Sequence, residues 1–564
     1  MPPNPAELRP VNFTTGEVSS SDERSLVLSP EALAVETKLA EMSFRQCFKA
    51  YTPAILFSAV GSSTCIMQGY DLALIGNFYG MIQFNKKYGT SVGVVGGVTL
   101  YEIAAGWKLG LNVAALVGEI IGLYLGGLLS QKFGYKKTMI GSLIFMILGS
   151  LIPCFAPSVW VLVLGQFICG IPWGIFQTLP TAYAVEIAPA PLRPLLCSAI
   201  NICWLLGQLM AVGVVMLSKN MESNLPFRFP FFLMLALPAF ILVGVIFSPE
   251  SPVWLVRQGR ENDAKKSLLK LTSRNVEGFD ADGIILLLKE TNEIEKARSE
   301  GTSFFDCFRG MNLRRTEIAC GAWMAQSLCG SVLIGLSVLF YQSAGTKYEQ
   351  ALLYTLIQAP IGIVGGILNW FLIAKLPRRA LFLGGLGLLC ATLVTIGFGS
   401  WSDQVEKITS YLFIFWVFVY GCTVGPSSYS IVAEIPSSQL KAPTISLARM
   451  AYNSCNIIAS ALTSFMLTDK KGKGWSWKTK SALFWGGSAL LCFIWAYIRV
   501  PEQKGVSNID MEVMFENKER RWNFGKRAKE LAERRRLENG EDKTPKEVCR
   551  DVGTPLRSLF SHVD

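Results

Sequence analysis

The sequence predicts an all-α membrane protein with twelve transmembrane helices in two parallel six-helix halves. Of its 564 residues, 51% are hydrophobic and only 17% are charged, a balance typical of a polytopic membrane protein and unusual for a soluble protein of this size. The apolar runs are about 20 residues long, which is the length that spans a bilayer as a helix. Motifs of the first half also recur in the second half.

The apolar runs divide the chain into five segments. We expect an N-terminal tail over residues 1–53, a six-helix half over 54–248 and a polar central segment over 249–316. A second six-helix half covers 317–499, and a highly charged tail covers 500–564. The predicted spans are 54–76, 108–129, 136–155, 159–183, 195–217, 228–248, 317–340, 350–373, 380–399, 409–431, 443–467 and 481–499.

An internal repeat supports the division into halves. The pattern Glu-Ile-x4-Leu-Arg at 186–193 recurs as Glu-Ile-x4-Leu-Lys at 434–441, and Pro-Glu at 249–250 recurs at 501–502. A weaker basic pattern links 132–137 with 375–379. Motifs that recur at a nearly constant spacing indicate a duplicated unit, and two parallel six-helix repeats with a site between them are a known transporter arrangement.

The basic residues predict the orientation in the membrane. The chain has 53 Lys and Arg against 42 Asp and Glu, and the basic short loops fall mostly on the side of the termini and the central segment. By the positive-inside rule, this side is cytoplasmic. We therefore expect a multi-pass protein of the cell membrane with both termini in the cytoplasm, although the lysines at 470–480 oppose this orientation. No pattern indicates a nucleic-acid partner.

The composition also excludes several kinds of chemistry. The only histidine is His562, so no Ser-His-Asp triad, Cys-His pair, His-ligated haem or His-containing zinc site fits within the membrane part. The 14 cysteines are scattered through apolar runs and form no CxxC pair, as expected of small core residues. We therefore expect no enzymatic activity, no cofactor and no metal site.

Polar stripes on two predicted helices indicate a path for a solute. Gln166, Trp173 and Gln177 recur on one face of the fourth helix, and Asn201 and Trp204 share a face of the fifth. A polar stripe within a membrane is unfavourable unless it faces other protein or a water-filled path. Such stripes are typical of a transporter.

Several longer motifs resemble those of the sugar-porter branch of the major facilitator superfamily, and within it the fungal α-glucoside (maltose-type) permeases. The motifs are GYDLALIG from 69, GE from 118, GQFICGIPWG from 165, NICW from 201, PESPVWLV from 249, EIPSSQLK from 434, LAR from 447 and PEQKG from 501. The resemblance implies proton-driven import of a disaccharide such as maltose across the plasma membrane by alternating access. The resemblance also implies that Gln166, Asn201 and Trp204 are typical of the disaccharide carriers within the family.

The sequence departs from this family at a few positions. Gln68 stands where the family has a carboxylate, and Ser327 and Val332 replace two polar residues of the hexose-type motif in the seventh helix. Three alternatives therefore stay open. The chain could carry a non-sugar solute such as a fungal specialised metabolite, act as an uncoupled sugar facilitator, or act as a sugar sensor that transports nothing.

A sugar site needs hydrogen-bonding groups for hydroxyls and aromatic rings for sugar faces, in a concave pocket. Polar residues of the seventh, tenth and eleventh helices could complete the stripes described above. The alternative is that these amides hydrogen-bond to one another between helices. The predicted substrate site is Gln166, Trp173, Gln177, Asn201, Trp204, Gln326, Tyr341, Tyr429 and Asn453.

Proton coupling needs a buried group that takes up and releases a proton. Asp71 and Glu119 lie within predicted spans, and Arg449 is a possible counter-charge. The alternative is a permanent buried salt bridge between Arg449 and one of these carboxylates.

Charged residues at the predicted cytoplasmic helix ends resemble the gating salt bridges of the family. The resemblance implies that these residues link the two halves when the carrier faces outwards; the alternative role is simple positive-inside anchoring. We also expect a monomer whose partners are the sugar, protons and the lipid bilayer. The predicted gating residues are Glu186, Arg193, Glu250, Glu434 and Lys441.

Overall fold

The computed structural model describes residues 29–42, 44–95, 98–189, 192–219, 221, 225–273, 280–299, 304–399, 406–437, 440–468, 474–503, 511 and 514–515. This part of the chain is almost entirely helical. The first half and the segment before it contain α1 (Pro30–Glu41), α2 (Phe44–Ala50), α3 (Thr52–Ser62), α4 (Thr64–Phe78), α5 (Ile82–Tyr88), α6 (Ala105–Phe133), α7 (Tyr135–Cys154), α8 (Val159–Ile187), α9 (Arg193–Ser218) and α10 (Leu225–Phe247).

The central segment and the second half contain the remaining α-helices. These are α11 (Pro252–Arg257), α12 (Glu261–Leu271), α13 (Ala281–Ser299), α14 (Gly310–Gln326), α15 (Val332–Gly335), α16 (Ser337–Ser343), α17 (Tyr348–Lys375), α18 (Arg378–Gly399), α19 (Glu406–Cys422), α20 (Val424–Glu434), α21 (Lys441–Leu467) and α22 (Ser481–Arg499). An antiparallel hairpin, β1 (Thr90–Val95) and β2 (Val98–Glu102), follows α5. The sequence analysis did not predict this hairpin.

Twelve membrane-spanning elements can be traced in the bundle. Among the described residues, ten helical segments are long and apolar enough to cross a membrane. The other two elements correspond to the predicted first and eleventh spans. The first is divided into α3 and α4 at Ser63, and the eleventh is α21, where polar residues such as Arg449 and Asn453 lower the mean hydropathy.

Besides the first span, two more of the predicted continuous helices are broken in the membrane. The predicted span 317–340 begins earlier, at Gly310, and α14 is followed by a π-helical turn over Ser327–Ser331. Gly330 in this turn has a φ of 99°, a conformation that favours glycine. The predicted tenth span is likewise divided into α19 and α20 at Thr423. Irregular backbone at membrane depth is tolerated where it is buried in protein or lines a cavity.

The internal repeat is visible as the same capping arrangement in each half. The Glu250 carboxylate accepts hydrogen bonds from the backbone N–H groups of Tyr135 (2.9 Å) and Lys136 (3.2 Å) at the start of α7. Glu502 accepts in the same way from the N–H groups of Arg378 (3.0 Å) and Arg379 at the start of α18. A carboxylate at a helix N-terminus satisfies unpaired N–H groups and interacts favourably with the helix dipole.

The two halves meet along a few helix pairs. Helix α9 packs on α17, α6 packs on α21, and α4 contacts α15 and α16. The near side of the bundle is defined here as the side on which the central segment lies, and the far side is the opposite one. Glu186 at the end of α8 contacts Ser251 and therefore marks the near side.

The far side is closed by contacts that join the halves. The buried Lys108 ammonium, at the start of α6, donates to Thr468 Oγ1 at 3.2 Å and pairs with Glu102 Oε1 at 3.0 Å. Lys219 pairs with Glu349 at 3.1 Å across the same face. Gly76 on α4 lies against the backbone carbonyl of Gly335, so closely that a β-carbon on Gly76 would overlap its oxygen.

The segment predicted as an N-terminal tail is partly helical. The N–H of Ser29, which caps α1, donates to Glu290 Oε2 on α13 at 2.8 Å, and the N–H of Ser273 donates to the carbonyl of Ala50 at 2.7 Å. The described part of residues 1–53 is therefore attached to the central segment. The predicted segment boundaries stay predictions.

Replacing Gly76 by valine should open the far side, because its side chain cannot fit against Gly335. Overpacking of this kind typically costs about 1–3 kcal/mol, which predicts a roughly fivefold or greater rise in exposure of the interface. The probe is a cysteine in place of the buried Ser337, whose labelling by a maleimide is timed in detergent. Gly127→Val is the control, because no atom lies within 4 Å of the β-carbon added there. Equal labelling rates in Gly76→Val and the parent would contradict this interpretation.

Candidate functional site

A chain of buried and half-buried side-chain hydrogen bonds crosses the interface between the halves. The Gln68 amide on α4 donates to Glu119 Oε1 at 3.0 Å, and the Gln177 amide on α8 donates to Glu119 Oε2 at 2.8 Å. The Gln177 carbonyl oxygen accepts from Arg449 Nε, on α21 of the other half, at 2.8 Å. One amide therefore connects a carboxylate of the first half to a guanidinium of the second.

Glycines bring these side chains together. Helices α6 and α8 cross so closely that a β-carbon on Gly118 would overlap the carbonyl oxygen of Phe167, and one on Gly174 would overlap that of Glu119. Small residues at a crossing let two membrane helices approach with backbone in contact. The crossing places Gln177, three residues beyond Gly174, beside Glu119.

Asp71 lies in a separate contact within the first half. Gln166 Nε2 donates to Asp71 Oδ1 at 3.3 Å, and Asp71 is buried. Among the described residues, neither Asp71 nor Glu119 forms an ion pair with Arg449. The predicted alternative of a permanent direct salt bridge is therefore wrong for this structure, because the Gln177 amide lies between Glu119 and the guanidinium.

Aromatic rings surround the Arg449 guanidinium on the side of the second half. It lies 5.4 Å from the ring centroid of Trp323 and 4.8 Å from that of Tyr452, distances at which a cation is attracted to a ring face. Tyr429 packs edge-on against Trp323 at 5.7 Å. Tyr429 is 43% exposed and so borders an accessible space.

Several predicted substrate-site residues are engaged with protein. Besides Gln166 and Gln177, Gln326 donates from Nε2 to the carbonyl of Gly425 at 2.5 Å, next to the break between α19 and α20. The Tyr341 hydroxyl donates to Gln358 Oε1 at 2.8 Å, and Tyr341 is fully buried. For these four residues, hydrogen bonding between helices describes the contacts seen in this structure.

Two further predicted residues are buried without a hydrogen bond. The indole N–H of Trp173 has no partner, and neither amide atom of Asn453 has one. Asn453 is 0% exposed, so a solute could reach it in this conformation only if its neighbours moved. A buried polar group without a partner is unfavourable, and such groups often mark functional positions.

Asn201 and Trp204 are the predicted residues best placed to contact a solute. Both lie on α9 with half-buried side chains. The Asn201 amide makes no hydrogen bond to any other described residue, so it does not act as polar glue between helices in this structure. An amide and an indole ring are groups that can bind hydroxyls and stack on sugar faces.

The predicted gating residues lie on the near side and contact their own half. Glu186 accepts from the Tyr135 hydroxyl at 2.8 Å and pairs with Arg257 at 3.4 Å. Arg193 Nε donates to the carbonyl of Ala188 at 3.1 Å. Glu434 pairs with Arg378.

Glu250, another predicted gating residue on the near side, caps the start of α7. Burial raises the pKa of the Glu250 carboxyl above its ordinary value, although three backbone N–H groups oppose the shift. The Lys441 side chain lies outside the described residues. The pairs Glu186–Arg257 and Glu434–Arg378 each stay within one half.

The sequence analysis missed three contributors to this site. Gln68 was treated as the loss of an acid, but its amide is a partner of Glu119. Trp323 and Tyr452 were not considered, although each lies three residues from a predicted site residue, Gln326 and Arg449 respectively, and so near it on a helix. That spacing was the available signal.

The fold and this site together define a membrane transporter of two similar halves with polar side chains between them. A family model described as "Sugar (and other) transporter" matches residues 57–515, and the chain belongs to this family. This confirms the predicted sugar-porter resemblance. It also confirms that the chain is a transporter and not an enzyme.

Named relatives and solved structures agree with this assignment. The chain is 35% identical over 525 residues to a general alpha-glucoside permease of Saccharomyces cerevisiae, covering 90% of this chain and 84% of the relative. It is 36% identical over 485 residues to the maltose permease MAL31 of the same species, covering 84% and 77%. The proton:xylose symporter XylE, a major facilitator protein, superimposes with a TM-score of 0.66 at 21% identity, covering 82% of this chain and 99% of XylE.

A second XylE structure, a partially occluded inward-open conformation of the Escherichia coli protein, gives a TM-score of 0.65 at 20% identity. It covers 81% of this chain and all of that one. These structural matches confirm the predicted twelve-helix major facilitator fold.

Replacing Asn201 by alanine should weaken solute binding, because its amide is free to bind a hydroxyl. Loss of one such hydrogen bond corresponds to a roughly three- to tenfold rise in apparent KM. Initial uptake rates at equal surface expression measure this. The control is Ser454→Ala on α21, whose exposed hydroxyl bonds only to its own helix. An unchanged KM would show that Asn201 does not bind the solute.

Proposed function

We propose that this protein imports an α-glucoside such as maltose across the cell membrane by proton symport. Two kinds of similarity support the substrate class and the coupling. Relatives that share about a third of their residues over most of the chain are named as α-glucoside and maltose permeases, and a carrier of the same fold is described as a proton:xylose symporter.

The observation that carries the coupling proposal is the link from Glu119 through Gln177 to Arg449. In the ionised state, both Glu119 oxygens accept an amide N–H. A proton on Oε2 makes this oxygen an O–H donor and a weaker acceptor, so the hydrogen bond from the Gln177 N–H becomes weaker. If the Gln177 amide turns over to accept from the carboxyl, its nitrogen faces Arg449, which is also a donor. Protonation of Glu119 thus weakens the connection between the halves in either arrangement.

Gln68 has a defined part in this scheme. Its amide donates to Glu119 as a neutral partner. A neutral neighbour removes a like charge from the site, so Glu119 can ionise without a third carboxylate nearby. Asp71, held by Gln166, is the second candidate for a proton site.

The solute path is proposed to run past Asn201, Trp204 and Tyr429. An amide and two aromatic rings on facing halves supply hydroxyl contacts and stacking surfaces. The contacts that join the halves on the far side are consistent with a carrier whose path closes on that side. We assign the near side to the cytoplasm from the positive-inside rule, with the protein acting as a monomer in the bilayer.

The experiment is uptake of labelled maltose in a yeast strain without its own maltose carriers, with external pH recorded. Proton symport predicts uptake together with alkalinisation of an unbuffered medium, because each sugar enters with a proton. The same strain without this protein is the control. Uptake without a pH change would indicate a facilitator. No maltose uptake, with the protein shown at the cell surface, would favour a non-sugar solute.

A further inference from the structure

A small cavity lies between the halves, towards the far side of the bundle. We propose that it is the closed form of a subsite for the second sugar ring of a disaccharide, with Asn77 and Gln358 as specificity-determining residues. This inference depends on the proposed α-glucoside transport. Its polar lining is formed by Asn77, Gln208, Ser337, Thr355 and Gln358.

Both halves form the walls of this cavity. Helices α4 and α9 contribute from the first half, and α15, α16 and α17 contribute from the second. Its volume is about 10 Å³, enough for a single water molecule in this conformation. Because its walls belong to halves that move relative to each other, the cavity must enlarge when the far side opens.

Two buried amides that line the cavity lack hydrogen-bond partners. Asn77 is 3% exposed and Gln208 is 6% exposed, and the side-chain nitrogen of each has no partner. Leaving a buried donor unpaired costs about 1–3 kcal/mol. Sugar hydroxyl oxygens accept hydrogen bonds and would satisfy these N–H groups.

Gln358 is oriented by a neighbour on the same half. The Tyr341 hydroxyl donates to Gln358 Oε1 at 2.8 Å, which leaves the amide nitrogen as the group available to an occupant of the cavity. The hydroxyls of Ser337 and Thr355 lie 3.3 Å apart on the same wall. The cavity thus presents amides and hydroxyls, the groups that recognise a polyhydroxyl ring.

The position of the cavity fits the length of the path. Asn77 lies six residues beyond Asp71 on α4, and Gln208 lies seven residues beyond Asn201 on α9, which is a rise of about 10 Å along each helix. A sugar ring at the level of Asn201 leaves a second ring to extend towards this cavity. The contact of Gly76 with Gly335 closes the path beside it.

The test compares two ligands that differ by one ring. Asn77→Leu should raise the apparent KM of maltose roughly tenfold, the effect of losing a hydrogen bond to a buried hydroxyl. The inhibition constant of methyl α-D-glucoside, which has a single ring, should change less than about twofold. Both are measured from maltose uptake at equal surface expression.

Matched variants separate this effect from general damage. Asn85→Leu is the same change at another buried far-side asparagine, whose amide donates to the Tyr79 carbonyl and which does not line the cavity. It should leave the ratio of the two constants unchanged. If Asn77→Leu fails to reach the membrane, Gln358→Leu tests the same prediction.

The outcomes distinguish the two proposals. Wild-type protein that transports no α-glucoside would overturn both. The wild type could instead take up maltose normally while Asn77→Leu and Gln358→Leu leave the ratio of the two constants unchanged. This result would overturn only the second-ring subsite and would show that the cavity is a water site.

Discussion

The rest of the structure depends on how one buried carboxylate is held. Glu119 is enclosed in the first half, and its charge is compensated by two amide donors, Gln68 and Gln177, and not by a direct ion pair. A buried charge without partners is strongly unfavourable, so these amides have to stay in place. Because Gln177 also accepts from Arg449, the solvation of this charge is tied to the position of the other half.

The surrounding architecture makes that link sensitive to movement. The glycine crossing of α6 and α8 fixes Glu119 and Gln177 relative to each other, whereas Arg449 lies on α21 of the second half. The second half also contains two broken helices, with breaks at Gly330 and at Thr423. Breaks of this kind provide places where a helix can bend. On the far side, Lys108 and Thr468 hold the halves together while the near-side pairs stay within each half.

Much of this could be predicted from the sequence because it depends on composition and periodicity. The length of the apolar runs predicted the twelve spans. The recurring Pro-Glu motif corresponds to Glu250 and Glu502, which cap equivalent helices of the two halves. Glu119 and Arg449 could be identified as coupling candidates because charges are rare in apolar helices. The contact between them through Gln177 could not, since spacing gives the face of a helix but not the partner that this face meets.

Other features were hidden for related reasons. Nothing distinguishes Gly330 in the sequence from the many helical glycines, so the π-helical turn was not predicted. The amides of Asn201 and Gln326 look alike in sequence, but tertiary packing leaves one available and engages the other with the Gly425 carbonyl. The charged motifs indicated residues at helix ends, but the partner of each charge depends on tertiary packing that the spacing does not show.

The most direct test of Glu119 as the coupling group is the maltose accumulation ratio of Glu119→Gln at an imposed pH gradient, measured alongside exchange at equal internal and external maltose. An amide at this position keeps the shape but takes up no proton. If Glu119 couples the halves to the proton, the variant exchanges maltose and accumulates none. Accumulation equal to the wild type, with the same response to pH, would contradict this mechanism.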